Sequence, residues 1–190
     1  MATRATSAVR GRAGILSAIE EALRARGYDG ASIADIAEAT GLGKSSLYHH
    51  FPGGKPEMAA ACAEALAARM GENLAALEAL GRPADKLAAF FAALDVYFAS
   101  GERMCLMAMM GTSSASADLR PILSAAIGRT IASIAGILVE GGVAPALARE
   151  RAEDAFAQIQ GAVVLARATG DSAVFRRLVA SLPARLLAKS

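Results

Sequence analysis

A chain of 190 residues is long enough to bury a sizeable core as one large or two small domains. Its hydrophobic fraction of 54%, inflated by alanine and poor in β-branched clusters, argues for an all-helical (all-α) protein. A formal charge of +2 excludes a basic coat over the whole chain, so any basic groups that meet a polyanion must act locally.

The first arginines, Arg4, Arg10 and Arg12, lie among small polar residues in an arm suited to phosphate or a minor groove. No apolar stretch follows them as in a secretory signal, and a cytoplasmic location is expected. An amphipathic helix is predicted over about 7–27, with Ile15, Leu16, Ile19 and Leu23 on one face. Ser32 then caps a short helix in which Asp35, three residues on, reaches back. Ile33, Ile36 and Ala37 share its inner face, and Gly41 is free to take the left-handed conformation that stops it after Thr40. From Gly43 a second short helix turns Leu47 and Phe51 inward and leaves Lys44, Ser45, Ser46, Tyr48 and His49 for solvent or a ligand. Two short helices joined by a tight glycine turn, the second polar and basic, read as a helix-turn-helix. Gly53-Gly54-Lys55-Pro56 follows, where glycines let backbone approach an anion and Pro56 suits a first helical position.

The stretch from about Ser32 to Met58 resembles the DNA-binding signature of the TetR family of transcriptional regulators. Leu47, Tyr48, His49 and Phe51 match the end of that family's recognition helix, and Lys55 stands at its phosphate-contacting lysine. Pro52-Gly53-Gly54-Lys55 is one residue longer than the commoner turn and is similar to a branch that includes regulators of multidrug and quinone-type responses. Gly43 replaces the family's frequent Ser or Thr cap, and His50 stands where an aromatic is common. The resemblance implies that Ser32, Lys44, Ser45, Ser46, Tyr48, His49 and Lys55 contact double-stranded operator DNA. Tyr48 and Lys55 are expected mainly on phosphates. The division is placed at Lys55, with a helix-turn-helix unit over 1–55 and a larger helical unit over 56–190.

Further helices are predicted over about 56–80, 84–99, 103–110, 119–140, 144–168 and 172–187, with a break over 111–117 and a bend or split at Pro183. Residues 122–145 are apolar enough to raise a membrane question, but Arg129, Glu140 and paired glycines favour a buried helix over a span. Leu87, Phe90, Phe91, Leu94, Tyr97 and Phe98 lie on one broad helical face, and Met104, Met107, Met109 and Met110 follow. Each alone suits core packing; as a group they suit an adaptable pocket. The family resemblance implies an effector cavity there, closed on another side by Ile122, Ile127, Ile131 and Ile134, with a small apolar or aromatic effector and with Arg103 or Arg129 as candidate partners for an acidic group. Phe156, Ile159, Val163, Val174 and Leu178, with small residues between them, suit either a monomeric core or a four-helix interface with a second copy. The resemblance favours the homodimer.

Other chemistries fare worse. Gly43-Lys44-Ser45 lacks the first glycine and preceding strand of a phosphate-binding loop. His49 and His50 point to different faces with no nearby Cys or carboxylate cluster, and neither metal nor cofactor is expected. No nucleophile or acid–base pair suggests an enzyme. Cys62 and Cys105 read as buried thiols. The expected function is a ligand-responsive DNA-binding regulator, most often a repressor in this family. The alternatives are a thiol-based redox sensor using Cys105 and a helical small-molecule carrier without DNA binding.

Overall fold

A computed structural model describes residues 11–188, and among them nine α-helices and no strand. In chain order these are α1 Arg12–Gly30, α2 Ile33–Thr40, α3 Lys44–His50, α4 Gly54–Leu77, α5 Pro83–Tyr97, α6 Leu106–Gly111, α7 Ser116–Glu140, α8 Pro145–Thr169 and α9 Ala173–Leu187. A 3-10 turn over Ala99–Gly101 joins α5 to the segment before α6. Arg4, Arg10 and the start of the expected first helix lie outside the described residues. Arg12 is not in an extended arm: it is the first residue of α1, and its guanidinium lies 5.3 Å from the centre of the Phe51 ring.

The first three helices pack as a small unit because each contributes one apolar face. Ile15, Ile19 and Leu23 of α1, Ile36 of α2, and Leu47 with Phe51 at the end of α3 are all buried. That core does not close on itself. Met58, Ala59, Cys62, Ala63 and Leu66 continue it along α4 into the larger helical layer, where α7 lies between α4 and α8 and α9 covers α5 and α8. One apolar core therefore runs from α1 to α9.

Polar ties cross from α1, and from Ala31 just past its end, to the rest of the described chain. Arg69 of α4 donates through Nη2 to both carboxylate oxygens of the buried Glu20, at 2.7 and 2.8 Å. Arg24, whose side chain is 7% exposed, donates to the Met104 carbonyl at 2.5 Å and to the Tyr97 hydroxyl at 3.0 Å. Asp29 accepts from the hydroxyl and backbone N–H of Ser114, in the loop before α7. Lys55 donates to the Ala31 carbonyl at 2.8 Å.

Several helix limits depart by one to three residues from the sequence expectation, α6 among them, which starts at Leu106 and not at 103. α4 starts at Gly54, two residues before Pro56, and α7 starts at Ser116, which shortens the break before it. α9 is not split at Pro183: Leu182 and Leu186 on either side of it are buried, and Arg151 of α8 donates to the Leu186 and Ala188 carbonyls. α7 is long and apolar enough to cross a membrane, yet only 33% of its most apolar stretch is buried, so the expectation of a buried helix holds for one side. That side packs on α4, α6 and α8, while Arg129 and the small residues Ala125, Ala132 and Gly136 are exposed.

Candidate nucleic-acid interface and internal cavity

Local chemistry fixes the two short helices before any tertiary contact does. Ser32 Oγ accepts from the Asp35 N–H at 3.1 Å, while the Ser32 N–H and hydroxyl both donate to Asp35 Oδ2, at 2.8 and 2.7 Å. This reciprocal cap satisfies two otherwise unpaired groups at the start of α2. The Ser32 hydrogen bonds, with Arg26 at 3.2 Å, hold the Asp35 carboxyl below its ordinary value. At the other end Gly41 adopts φ +72°, where a Cβ would crowd the backbone. Thr40, buried beside it, donates to the Ile36 and Ala37 carbonyls and accepts from the Leu42 N–H, which ties the turn to α2.

α3 is anchored by Leu47 and by Phe51 just past its end, both wholly buried, so its remaining surface faces outward as a block. Lys44, Ser45, Ser46, His49 and His50 are exposed, and Tyr48 is 48% exposed. The turn into α4 is shaped by Tyr48: Gly54 has φ +68°, and a Cβ there would stand 3.4 Å from the Tyr48 ring. Two residues expected to reach DNA are already engaged inside the chain. The Ser32 proton goes to Asp35, and the Lys55 ammonium sits 4.5 Å from the centre of the Tyr28 ring while bonded to Ala31. The α4 N-terminus is also part-filled, since Glu57 Oε2 accepts from the Gly53 N–H at 2.6 Å.

Behind this unit, α4, α5, α7 and α8 enclose a cavity of about 470 Å³, within the usual size of a small-molecule site. Phe90, Phe91, Leu94, Phe98 and Met107 line it, as do Leu66, Met70 and Leu74 of α4. Met104, Met109 and Met110 do not. Met110 is 1% exposed within the core, and Met104 contributes a backbone carbonyl to Arg24 instead. From α7 the wall is formed by Thr130 and by Ile134, as expected of Ile134, but not by Ile122, Ile127 or Ile131; Ile127 shares the helix face of Ile134 and lies two turns away along it. Arg103 and Arg129 are exposed and outside the lining.

The cation at the cavity is Arg69, which sequence reasoning passed over. Glu20 offered the signal: it stands on the buried face with Leu16 and Leu23, where a carboxylate requires a partner. Tyr97 lines the cavity and accepts from Arg24, and its burial pushes its phenol above the ordinary value. Cys105 also lines it and is 6% exposed; burial pushes the Cys62 thiol up to about 12.

Three residues expected at a dimer interface turn inward. Phe156 and Ile159 line the cavity, and Val163 is 1% exposed within the chain. Val174 and Leu178 are half-buried on α9. The outward apolar residues of α8 are Val164 and Leu165, 56% and 51% exposed.

Comparisons with known proteins agree with this architecture. Residues 15–62 match the family described as bacterial regulatory proteins, tetR family, and residues 76–181 match the C-terminal domain of LmrA/YxaF-like transcriptional regulators. The HTH-type transcriptional regulator LmrA of Bacillus subtilis is 34% identical over 89 residues, 46% of this chain and 47% of that regulator, so the match spans under half of its length. A TetR transcriptional regulator from Legionella pneumophila superposes with a TM-score of 0.81 at 20% identity, over 97% of this chain and 99% of that one. FadR of Bacillus subtilis, solved in complex with stearoyl-CoA, gives 0.70 at 19% identity, over 94% and 98%. At such identities the two structures speak for the shared fold alone.

Proposed function

The chain belongs to the TetR family of bacterial transcriptional regulators, and from that premise we propose that it is a homodimeric, cytoplasmic repressor released from its operator by an apolar small molecule. Regulators of this family are DNA-binding proteins rather than enzymes. The observation that carries the finer reading is the pairing of two features in one continuous core. α3 presents an uninterrupted polar and basic surface, and an apolar cavity of about 470 Å³ lies behind the same unit. Residues 1–55 act as the DNA-reading unit and 56–190 as the effector and dimerisation unit.

In this reading Lys44, Ser45, Ser46 and His49 reach bases or adjacent phosphates, while Tyr48 and Lys55 grip phosphates. Ser32 sets the α2 start and contacts a phosphate only by turning its hydroxyl proton from Asp35 to a phosphate oxygen. In a dimer, half-sites stand about 34–36 Å apart or a multiple of that, so a ligand that changes the spacing of the two α3 helices weakens binding. Effector and DNA then oppose each other to the same degree. The cavity wall has five phenylalanine, tyrosine and similar flat or flexible surfaces in Phe90, Phe91, Tyr97, Phe98 and Met107, which suits an aromatic or long-chain occupant. Occupation of a related fold by stearoyl-CoA in FadR supports a large apolar effector as a class. Burial of Cys105 gives bulk oxidants poor access, which leaves the thiol-sensing alternative without a specific observation in its favour.

The test is binding of the purified protein to a fluorescent duplex of its own upstream intergenic DNA at two salt concentrations, against a scrambled duplex. Sequence-selective binding that weakens steeply with salt is expected. Equal affinity for both duplexes would overturn the assignment of that DNA as operator, and no salt-dependent binding at all would favour the carrier.

A further inference from the structure

The cavity is apolar inside and charged at its edge. Among the described residues that line it, Arg69 alone carries a formal charge. Its neighbours in exposure, Asn73, Ala93 and Val96, are lining residues of α4 and α5, so the cavity opens to solvent between those two helices and Arg69 stands at the opening. The guanidinium is not used up. Both bonds to Glu20 leave from Nη2, the Arg69 side chain is 49% exposed, and the edge formed by Nε and Nη1 bonds no described residue. A planar guanidinium with a free edge at the mouth of an apolar chamber fits a carboxylate head on an apolar body.

We infer that the effector is an amphipathic carboxylic acid, its carboxylate held by Arg69 at the mouth and its apolar body between α4, α5, α7 and α8. This deepens the effector reading above and rests on it. The same arrangement gives the acid a route to the DNA-reading unit. Glu20 belongs to α1, is 6% exposed, and depends on Arg69 for its counter-charge. A second carboxylate on the same guanidinium repels Glu20 and draws the cation away from it, which weakens the tie between α1 and α4. By reciprocity, whatever conformation strengthens the Glu20–Arg69 tie lowers affinity for the acid. A neutral ligand of the same shape lacks this lever.

The test uses the full chain and a matched pair of competitors, with N-phenyl-1-naphthylamine as the fluorescent cavity probe. Decanoate and decanol share a chain and differ in the head group. Desolvation alone favours the alcohol, so an advantage for the acid reports a cation. The expectation is that decanoate displaces the probe from the wild-type protein at a concentration about tenfold below that of decanol. Glu20→Gln removes the competing charge while Arg69 stays half in water; it should tighten decanoate several-fold and leave decanol unchanged. A purely structural Glu20–Arg69 pair predicts no tightening. In Glu20→Gln/Arg69→Gln the decanoate advantage should vanish with probe binding retained. Equal potency of the two competitors on wild type, or an acid advantage that survives in the double variant, overturns the inference while the cavity reading stands. Failure of the probe to bind wild type overturns the cavity reading beneath it.

Discussion

Lys55 carries three N–H donors, and the chain itself takes one of them through the Ala31 carbonyl. The Tyr28 ring beneath it fixes the ammonium without neutralising it, which leaves two donors for phosphate oxygens. A contact of that kind carries no sequence information. Lys55→Ala should lower affinity for operator and scrambled duplexes by the same factor and reduce the slope of log K against log salt by about one. Titrations at several salt concentrations read both, and a loss confined to one base sequence would contradict the phosphate role. Asp35 acts on folding instead. Because Ser32 and Arg26 hold its carboxyl below the ordinary 3.8, the folded chain releases that proton more readily than the unfolded chain does. The cap therefore contributes its full stability above the ordinary carboxylate range and loses it as pH falls through the lower folded-state value. Asp35→Asn should lower Tm at about pH 7, and the gap to wild type should close as pH falls below the ordinary carboxylate range. Thermal scans across pH check this; a gap independent of pH would mean that the carboxylate charge is not what matters.

At the scale of elements, α3 starts without a side-chain cap, at Gly43, whose φ of −68° and ψ of 154° suit an L-residue and whose Cβ position is open. Gly43→Ser should raise stability by a few tenths of a kcal/mol, measurable by urea denaturation, without loss of DNA affinity. A destabilised protein would contradict the open cap position, and a loss of DNA affinity at unchanged stability would show that glycine serves close approach to DNA. The same helices show why part of the molecule was legible in sequence. Ser32, Asp35, Gly41, Leu47 and Phe51 act within a few residues of one another, so their spacing specifies the cap, the turn and the inner face. The cavity wall depends on helix rotation. It depends also on depth along the helix: α7 is apolar on several sides, so Ile134, which the sequence named, could not be told from Ile122, Ile127 and Ile131, nor Thr130 chosen, without the neighbours in place. Arg69 was missed for a related reason: a helical arginine ordinarily reads as solvated, and only its pairing with Glu20 across 49 residues marks it.

At the scale of the whole molecule, a single core joins the DNA-reading helices to the cavity, but one chain presents only one α3. Occupying two half-sites requires a second copy, and the surface for it must be apolar, exposed and remote from α3. α8 meets that description with Val164 and Leu165, around which the small residues Ala157, Gly161 and Ala168 are also exposed and allow close helix approach. Val163, the sequence candidate, points the other way and supports the fold. Val164→Asp/Leu165→Asp places charge on this face without touching the buried side of α8, so the chain should fold with its cavity intact. Sedimentation should then report half the wild-type mass. Operator affinity should fall by about two orders of magnitude, because binding of the second half-site is no longer intramolecular. Affinity for an isolated half-site should stay unchanged, which separates lost dimerisation from a damaged helix-turn-helix. If the double variant keeps the wild-type mass, the two copies meet elsewhere, and the route by which the cavity sets the spacing of the two α3 helices must run through another pair of helices.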